Sequence, residues 1–447
     1  MASPLLTDLY GLNMAASYLR RDMVGEATFS LFVRHLPPNR GFLVAAGLDD
    51  CLDHLEHVHF TGADLDYLAT IGFDAAALDA FAPLRFSGEV RAVPEGRLVF
   101  ANEPLLEVTA PIAEAQLVES FLLNQVTLQT TVATKAARCV LAAGRNMDLI
   151  DFGFRRSQGV DAAMAVARLA VMVGFVGTSN VEAARRFGLP PVGTMAHSYI
   201  EAFPSELEAF GAFAGDRTGQ STFLVDTYDT MGGVARAIEV IQTLHLGHEA
   251  AIRIDSGDLA AMARRARTAL DDAGLPEVRI VVSGGLDEFA LEALVSEGAP
   301  IDAAGVGTRM ATSADAPFVD SAYKLVAYDG GGVVKLSEGK ETLPGAKQVY
   351  RRPGLSDTLC LRDEPPPAPD AEGLLVVVME RGRRTGAREP LGAARARFEG
   401  DRDALADEQA DLERPVATEP VISSALAVSA RQARRDARGR RGRGDGG

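Results

Sequence analysis

Ala250-Ala-Ile-Arg-Ile-Asp-Ser-Gly-Asp258 sets the pattern for the middle of the chain. A short, mostly apolar run reads as a buried strand. A polar cluster, Asp255-Ser-Gly-Asp258, stands at its C-terminal end, and an Ala/Arg-rich stretch with helical spacing follows. The same unit recurs from Asn146 to about Ala311, with strand-like runs at 147–150, 174–176, 191–194, 222–225, 250–254, 279–282 and 301–306. Apolar strands alternating with helices predict a parallel sheet covered on both faces. Seven such units suit a β/α barrel with some short helices, and a doubly wound sheet reads much the same.

Outward from this segment the texture is mixed. Toward the N-terminus, 27–33 alternates like a strand, 43–55 has helical spacing, 84–90, 97–100 and 105–108 are short β-like runs, and 112–143 reads as one long helix or two. Toward the C-terminus, 323–328 and 333–337 form a predicted hairpin around Asp329-Gly-Gly-Gly332. Glu364-Pro-Pro-Pro-Ala-Pro-Asp370 is a rigid connection, 374–380 a strand, and 393–412 a helical stretch. From Arg431 an Arg/Gly tail has little to bury, and disorder is expected there. The domains expected are an N-terminal mixed α+β domain (1–145), a barrel-like catalytic domain (146–311), a C-terminal segment (312–430) and the tail (431–447).

The chain has 447 residues, 47% hydrophobic and 24% charged, with three cysteines and no Trp. That is a globular composition with length for two or three domains. The longest apolar stretch, 165–177, is broken by Arg168 and is too short to span a bilayer. The first fourteen residues hold neither a basic nor an apolar leader region, and Cys51, Cys139 and Cys360 make no disulfide framework. A cytoplasmic location is expected. Net charge is −16, and the last seventeen residues carry seven Arg and two Asp, which leaves residues 1–430 at −21. So acidic a body repels nucleic acid and anionic membranes. An anionic substrate must then be held by a few placed cations, backbone N–H groups or a metal ion.

Polar clusters close almost every strand-like run: Asp151-Phe-Gly-Phe-Arg-Arg156, Gly177-Thr-Ser-Asn180, Met195-Ala-His-Ser198, Asp226-Thr-Tyr-Asp229, Asp255-Ser-Gly-Asp258, Ser283-Gly-Gly285 and Gly307-Thr-Arg309. In a β/α barrel, strand C-termini share one rim, so all seven converge. Gly-rich turns at Ser283-Gly-Gly285 and Gly305-Val-Gly-Thr308 offer N–H groups to phosphate. Arg155 and Arg253 supply forked guanidinium groups for carboxylate or phosphate. Asp226, Asp229, Asp255 and Asp258 call for a cation, a Mg²⁺–phosphate complex or a carbocation-like centre to balance them. These groups suit a phosphorylated sugar plus a small anion. His54, His57 and His59 read as a solvated helix end.

These stretches, with Thr7-Asp-Leu-Tyr10, Gly193-Thr-Met-Ala-His-Ser198, Ala314-Asp-Ala-Pro317 and Tyr323-Lys-Leu325, resemble the nicotinate phosphoribosyltransferases, members of the type II phosphoribosyltransferase fold. The resemblance runs from about residue 5 to 355. It implies an α/β fold: an irregular, incomplete β/α barrel with a second mixed α+β domain built from N- and C-terminal segments. It also implies transfer of 5-phosphoribosyl from phosphoribosyl pyrophosphate to nicotinate, coupled to ATP hydrolysis through a phosphohistidine at His197, with ATP as co-substrate. Asp226 and Asp255 would join His197 as catalytic residues, Asp226 or Asp229 orienting the imidazole. Phe152 and Tyr10, the latter from a partner subunit, would sandwich the pyridine ring. Arg155, Thr178, Ser179 and Arg253 would bind substrate, with Ser179 favouring a carboxylate over an amide. Ser283, Gly284, Gly285, Gly305, Gly307 and Thr308 would take the phosphates. Mg²⁺ would enter on the substrate phosphates rather than in a protein cage. Partners implied are small molecules and a second copy of the chain in a homodimer, with no nucleic acid and no membrane. Transfer to nicotinamide or quinolinate, or an idle paralogue acting as a scaffold, are the competing readings.

Overall fold

The computed structural model describes residues 3–216, 219–337 and 341–444. Val132–Pro317 form one compact unit, and the described residues before and after it form another.

Among the described residues, the Val132–Pro317 unit holds six parallel strands: β1 (Asp148–Asp151), β2 (Gly177–Thr178), β3 (Ser221–Leu224), β4 (Ala250–Ile254), β5 (Arg279–Val282) and β6 (Ala303–Val306). Their order across the sheet is β2-β1-β6-β5-β4-β3. Read around a circle this is plain chain order, with the ring left open between β2 and β3. The sheet is therefore an incomplete barrel, not a doubly wound sheet, whose strand order would reverse at a switch point. The run 191–194 does not become a strand. Pro191 makes one parallel bridge to Thr178, and the segment then leaves the sheet. Pro190 and Pro191 have no N–H to donate, so a full ladder cannot form there. The strand expected at 174–176 lies slightly later, at β2, because the chain still turns at Gly174 (φ +122°) after the helix Val160–Met172.

The register fixes the rim. Asp151 pairs with Thr178 and Val306, Val282 with Ala304 and Ile254, and Arg253 with Leu224. All six C-terminal ends thus lie level. Side chains alternate across a strand. The face carrying Ile150, Ala251, Val281 and Ala303, an apolar cluster that Phe152 and Val192 join, therefore also carries Arg253 and, beyond the strand ends, leads to Asp255 and Ser283.

The other unit is built on a seven-stranded antiparallel sheet in which Glu26–Val33 lies between Pro104–Pro111 and Ser321–Tyr328. N- and C-terminal segments thus share one sheet. A four-stranded sheet joins Lys347–Arg352, Ser356–Leu361, Glu372–Gly373 and Val421–Ile422. The predicted hairpin after Tyr328 is present but tighter. Asp329 (φ +48°) and Gly330 (φ +75°) make a two-residue turn of the kind hairpin twist favours, so Gly331–Gly332 is the returning strand instead of 333–337. The stretch 43–55 divides into the strand Leu43–Val44 and the helix Leu48–His57. On that helix His54 is buried, stacked 3.7 Å from Phe121, with burial lowering its pKa to about 4; it is a core residue, not part of a solvated end.

Two boundaries differ from expectation. The units divide at Thr131/Val132 and Pro317/Phe318, not at 145 and 311. The reason is that Lys135 and Arg138, on the helix Glu119–Ala143, bury their charges against Glu288 and Asp315. The basic tail is helical: Ser424–Gly444 is one helix, started by buried Leu426 and Ala430 and carried on through 431–438 mainly by Arg, Gln and Ala, which are good helix formers. Residues 445–447 of the expected tail lie outside the described residues. Among the described residues no helix is long and apolar enough to cross a membrane.

Candidate active site

Arg253 is the hub of the rim. It leaves β4 on the inner face, with only 9% of its surface exposed. Its Nε donates to the Ser283 hydroxyl (2.7 Å), one Nη to the Thr194 hydroxyl (2.8 Å) and the other to Asp255 Oδ1 (2.6 Å). One side chain thus ties the ends of β4 and β5 to the 191–195 segment. Ser283 in turn donates to Asp255 Oδ1. Burial works against the Asp255 charge, but the Ser283 hydroxyl, the Arg253 guanidinium and nearby His197 overcome it and hold the carboxyl below its ordinary 3.8.

Phe152 follows β1 and lies against this hub, with the guanidinium carbon 5.4 Å from its ring centroid. Gly305 makes the position possible. A Cβ there would stand 2.4 Å from two ring carbons of Phe152. Gly305 is thus a buried strand residue that seats the ring, not the phosphate ligand expected from its Gly-Val-Gly context. Gly284 has a different necessity: its φ is +95°, and a Cβ would meet the Asp255 carbonyl oxygen at 2.0 Å. The exposed Gly284–Gly285 backbone is thereby pressed onto the β4 turn. Gly307 and Thr308 open the short helix after β6, and Thr308 is exposed.

His197 begins the short helix His197–Glu201 and is half-buried. Its Nδ1 lies 3.1 Å from the Thr227 hydroxyl. The expected carboxylate partners are occupied elsewhere. Asp229 caps the helix Thr230–Leu244, accepting from Gly232 N–H (2.7 Å). Asp226 Oδ2 accepts from Asp255 N–H (3.0 Å) and the Ser256 hydroxyl (2.5 Å), while its Oδ1 is shielded from solvent without a partner among the described residues. Asp258 is likewise a cap, for Leu259–Asp272. Only Asp226 and Asp255 of the four carboxylates serve the rim itself.

Two other expected ligand groups prove to be scaffold. Thr178 is buried and donates to Asp151 Oδ2 (2.6 Å); Asp151, whose pKa burial raises, also accepts from Gly153 N–H. Ser283 is committed to Arg253 and Asp255. Ser179 is half-buried beside them, its N–H on the Asp151 carbonyl (2.8 Å). Arg155 is exposed on the turn Phe154–Arg156. Tyr10 belongs to the other unit, on the first turn of the helix Leu9–Arg20; its phenol pKa is raised to about 12 by burial and by Glu119. Sequence reasoning missed Thr194, Thr227 and Ser256. All three stand inside or beside the quoted clusters, but a short hydroxyl carries no mark of which neighbour it will meet.

An open parallel barrel, its mouth tied by the ion pair of buried Arg253 with half-buried Asp255 and flanked by glycine turns, is suited to binding and positioning a ligand. The comparisons with known proteins agree. Residues 5–127 match the nicotinate phosphoribosyltransferase (NAPRTase) N-terminal domain, and residues 147–327 match the nicotinate phosphoribosyltransferase (NAPRTase) family. The nicotinate phosphoribosyltransferase pncB2 of Mycobacterium tuberculosis is 47% identical over 94% of this chain and 91% of its own. Human nicotinic acid phosphoribosyltransferase has the same fold, with TM-score 0.83 and 30% identity over 95% of this chain and 99% of that one. A nicotinate-nucleotide pyrophosphorylase from Pyrococcus furiosus follows with TM-score 0.75, at 25% identity over 90% and 95%. The chain belongs to the nicotinate phosphoribosyltransferase family and is an enzyme of that kind.

Proposed function

We propose that this enzyme transfers the 5-phosphoribosyl group of phosphoribosyl pyrophosphate to the ring nitrogen of nicotinate, releasing pyrophosphate and forming nicotinate mononucleotide. The observation that carries the reading is Arg253, which joins the strand ends while lying 5.4 Å from the Phe152 ring. An aromatic acid laid on Phe152 directs its carboxylate toward Arg253 and Arg155. Ser179 donates a hydroxyl to that carboxylate, where an acidic residue would repel it. A pyridine nitrogen carries no proton, so the reaction requires no general base. It requires the ring held in line with the sugar C1 and stabilisation of the departing pyrophosphate. The Gly284–Gly285 and Gly307–Thr308 turns suit the phosphates.

ATP is used at His197. With Nδ1–H donating to Thr227, the Nε2 lone pair attacks the γ-phosphorus; a P–N bond forms, the bond to the β-phosphate oxygen breaks, and ADP leaves. Mg²⁺ accompanies the phosphates, and the unpartnered Oδ1 of Asp226 is the acceptor that fits such a cation or its water. Tyr10, with exposed Leu6 and Leu9 beside it, faces a second copy of the chain and completes the ring sandwich there. Three buried free cysteines suit a reducing cytoplasm.

The test is a product assay with phosphoribosyl pyrophosphate, Mg²⁺ and ATP, offering nicotinate, nicotinamide and quinolinate separately. Mononucleotide from nicotinate alone is expected, and Ser179→Asp should shift use toward nicotinamide. Preference for nicotinamide or quinolinate in the unaltered enzyme contradicts the reading.

A further inference from the structure

The two glycine turns follow adjacent strands, β5 and β6, and two separate ionic links span them. Asp287, which caps the helix Glu288–Ser296 just after Gly284–Gly285, accepts from Arg309 Nη1 (2.7 Å), and Arg309 belongs to the helix Thr308–Ala311. The next residue in the chain, Glu288, belongs to a second, more deeply buried set. Glu288, with no exposed side-chain surface, pairs with Lys135 Nζ and accepts from Arg138 Nε (2.9 Å). The same Lys135 ammonium donates to Asp315 Oδ1 (2.6 Å), in the loop that continues from the β6 turn. Lys135 and Arg138 are 1% and 2% exposed, and both cations lie within 6 Å of the Phe289 ring centroid. Nothing in the transfer chemistry uses these six charges. Burying charge so deeply is tolerated only with close pairing, and close pairing fixes geometry.

We propose that Asp287–Arg309 and Glu288–Lys135–Asp315 form a brace that sets the spacing of the Gly284–Gly285 and Gly307–Thr308 turns. The brace determines how tightly a pyrophosphate-bearing sugar is held. This rests on the reading that those turns receive phosphates. Asp287, Arg309, Lys135, Glu288 and Asp315 are positioning residues: they act through the backbone N–H groups of the turns and do not touch the reacting atoms.

Asp287→Asn is the discriminating variant. Asn retains the helix cap but removes the charge that holds Arg309. Kinetics are run with phosphoribosyl pyrophosphate and nicotinate varied in turn, together with inhibition by inorganic pyrophosphate. The brace predicts that KM for phosphoribosyl pyrophosphate and the pyrophosphate inhibition constant both rise roughly fivefold in Asp287→Asn, with KM for nicotinate within about twofold. Arg309→Ala should match it, and Arg309→Lys should recover most of the loss. If Arg309 instead touched phosphate directly, Asp287→Asn would free the cation and tighten pyrophosphate binding; that outcome overturns the brace. Unchanged constants in both Asp287→Asn and Arg309→Ala also overturn it, as does an equal rise in both substrates' KM. In folded Lys135→Met, verified by its thermal melt, the rise should exceed that of the Asp287 and Arg309 variants, and a smaller rise counts against the brace. Should the unaltered enzyme not bind pyrophosphate at all, the phosphate reading of the turns falls first and the brace with it.

Discussion

Gly305 shows how narrow the tolerances at this site are. A single methyl there would enter the Phe152 ring. Gly305→Ala is expected to displace Phe152 and lower kcat/KM for nicotinate by about 10- to 100-fold, at a stability cost of about 1–3 kcal/mol from overpacking. Substrate-dependence kinetics and a thermal melt check both. Thr227→Val removes the His197 partner while keeping the shape; ATP hydrolysis stimulated by nicotinate should fall by about an order of magnitude or more, with slow ATP-independent transfer retained. Unchanged ATP coupling would remove Thr227 from that role. Asp255 carries a pH signature. Its carboxyl titrates below 3.8 in the native state, so its ionised form supports the fold above that value, and the support is lost as pH falls through the native pKa. The stability gap between the unaltered protein and Asp255→Asn, followed by denaturant titration, should be constant from neutral pH to about 4 and close below it. At this scale the sequence marks which residues gather at the rim but not which way their hydroxyls turn. Thr178 and Ser283 look like ligand groups and are scaffold, whereas Thr227, unremarked beside two aspartates, takes the imidazole.

Strands and helices were far more legible than hydroxyls. Ala250–Ile254 and Arg279–Val282 appear at the bounds their apolar runs imply, because a strand buried on both faces has no alternative use for such a run. The elements that shift are those where backbone donors run out or a turn is tighter than its composition suggests. Pro190 and Pro191 reduce one strand to a bridge, and Asp329-Gly330 turns the chain before the remaining glycines are reached. Caps obey local rules: Asn180, Asp229, Asp258 and Asp287 each accept an N–H from the first turn of the helix after a strand. Asp258→Ala is therefore expected to cost about 1 kcal/mol of stability and little activity, measured by urea unfolding and steady-state rates. This also explains why so many aspartates stand at strand ends without all being catalytic.

Charge is a property of the whole chain. With residues 1–430 at −21, long-range attraction cannot bring an anionic substrate to the mouth. In the reading proposed, the phosphates are held by short-range N–H groups of the Gly284–Gly285 and Gly307–Thr308 turns, so raising salt is expected to weaken phosphoribosyl pyrophosphate binding only modestly. The basic helix at the C-terminus plays no part in the chemistry proposed, and removal of residues 431–447 should leave the rate unchanged. A composite site makes a stronger demand. Mixing Tyr10→Ala and His197→Ala chains under conditions of subunit exchange should restore activity if Tyr10 serves the partner's site. A structure of the enzyme with nicotinate mononucleotide and pyrophosphate tests the central claim most directly. The pyridine ring is expected on Phe152 with its carboxylate toward Arg253 and Arg155, and phosphates on the Gly284–Gly285 and Gly307–Thr308 turns. Ligands bound away from the C-terminal ends of β1, β4, β5 and β6 would contradict the account.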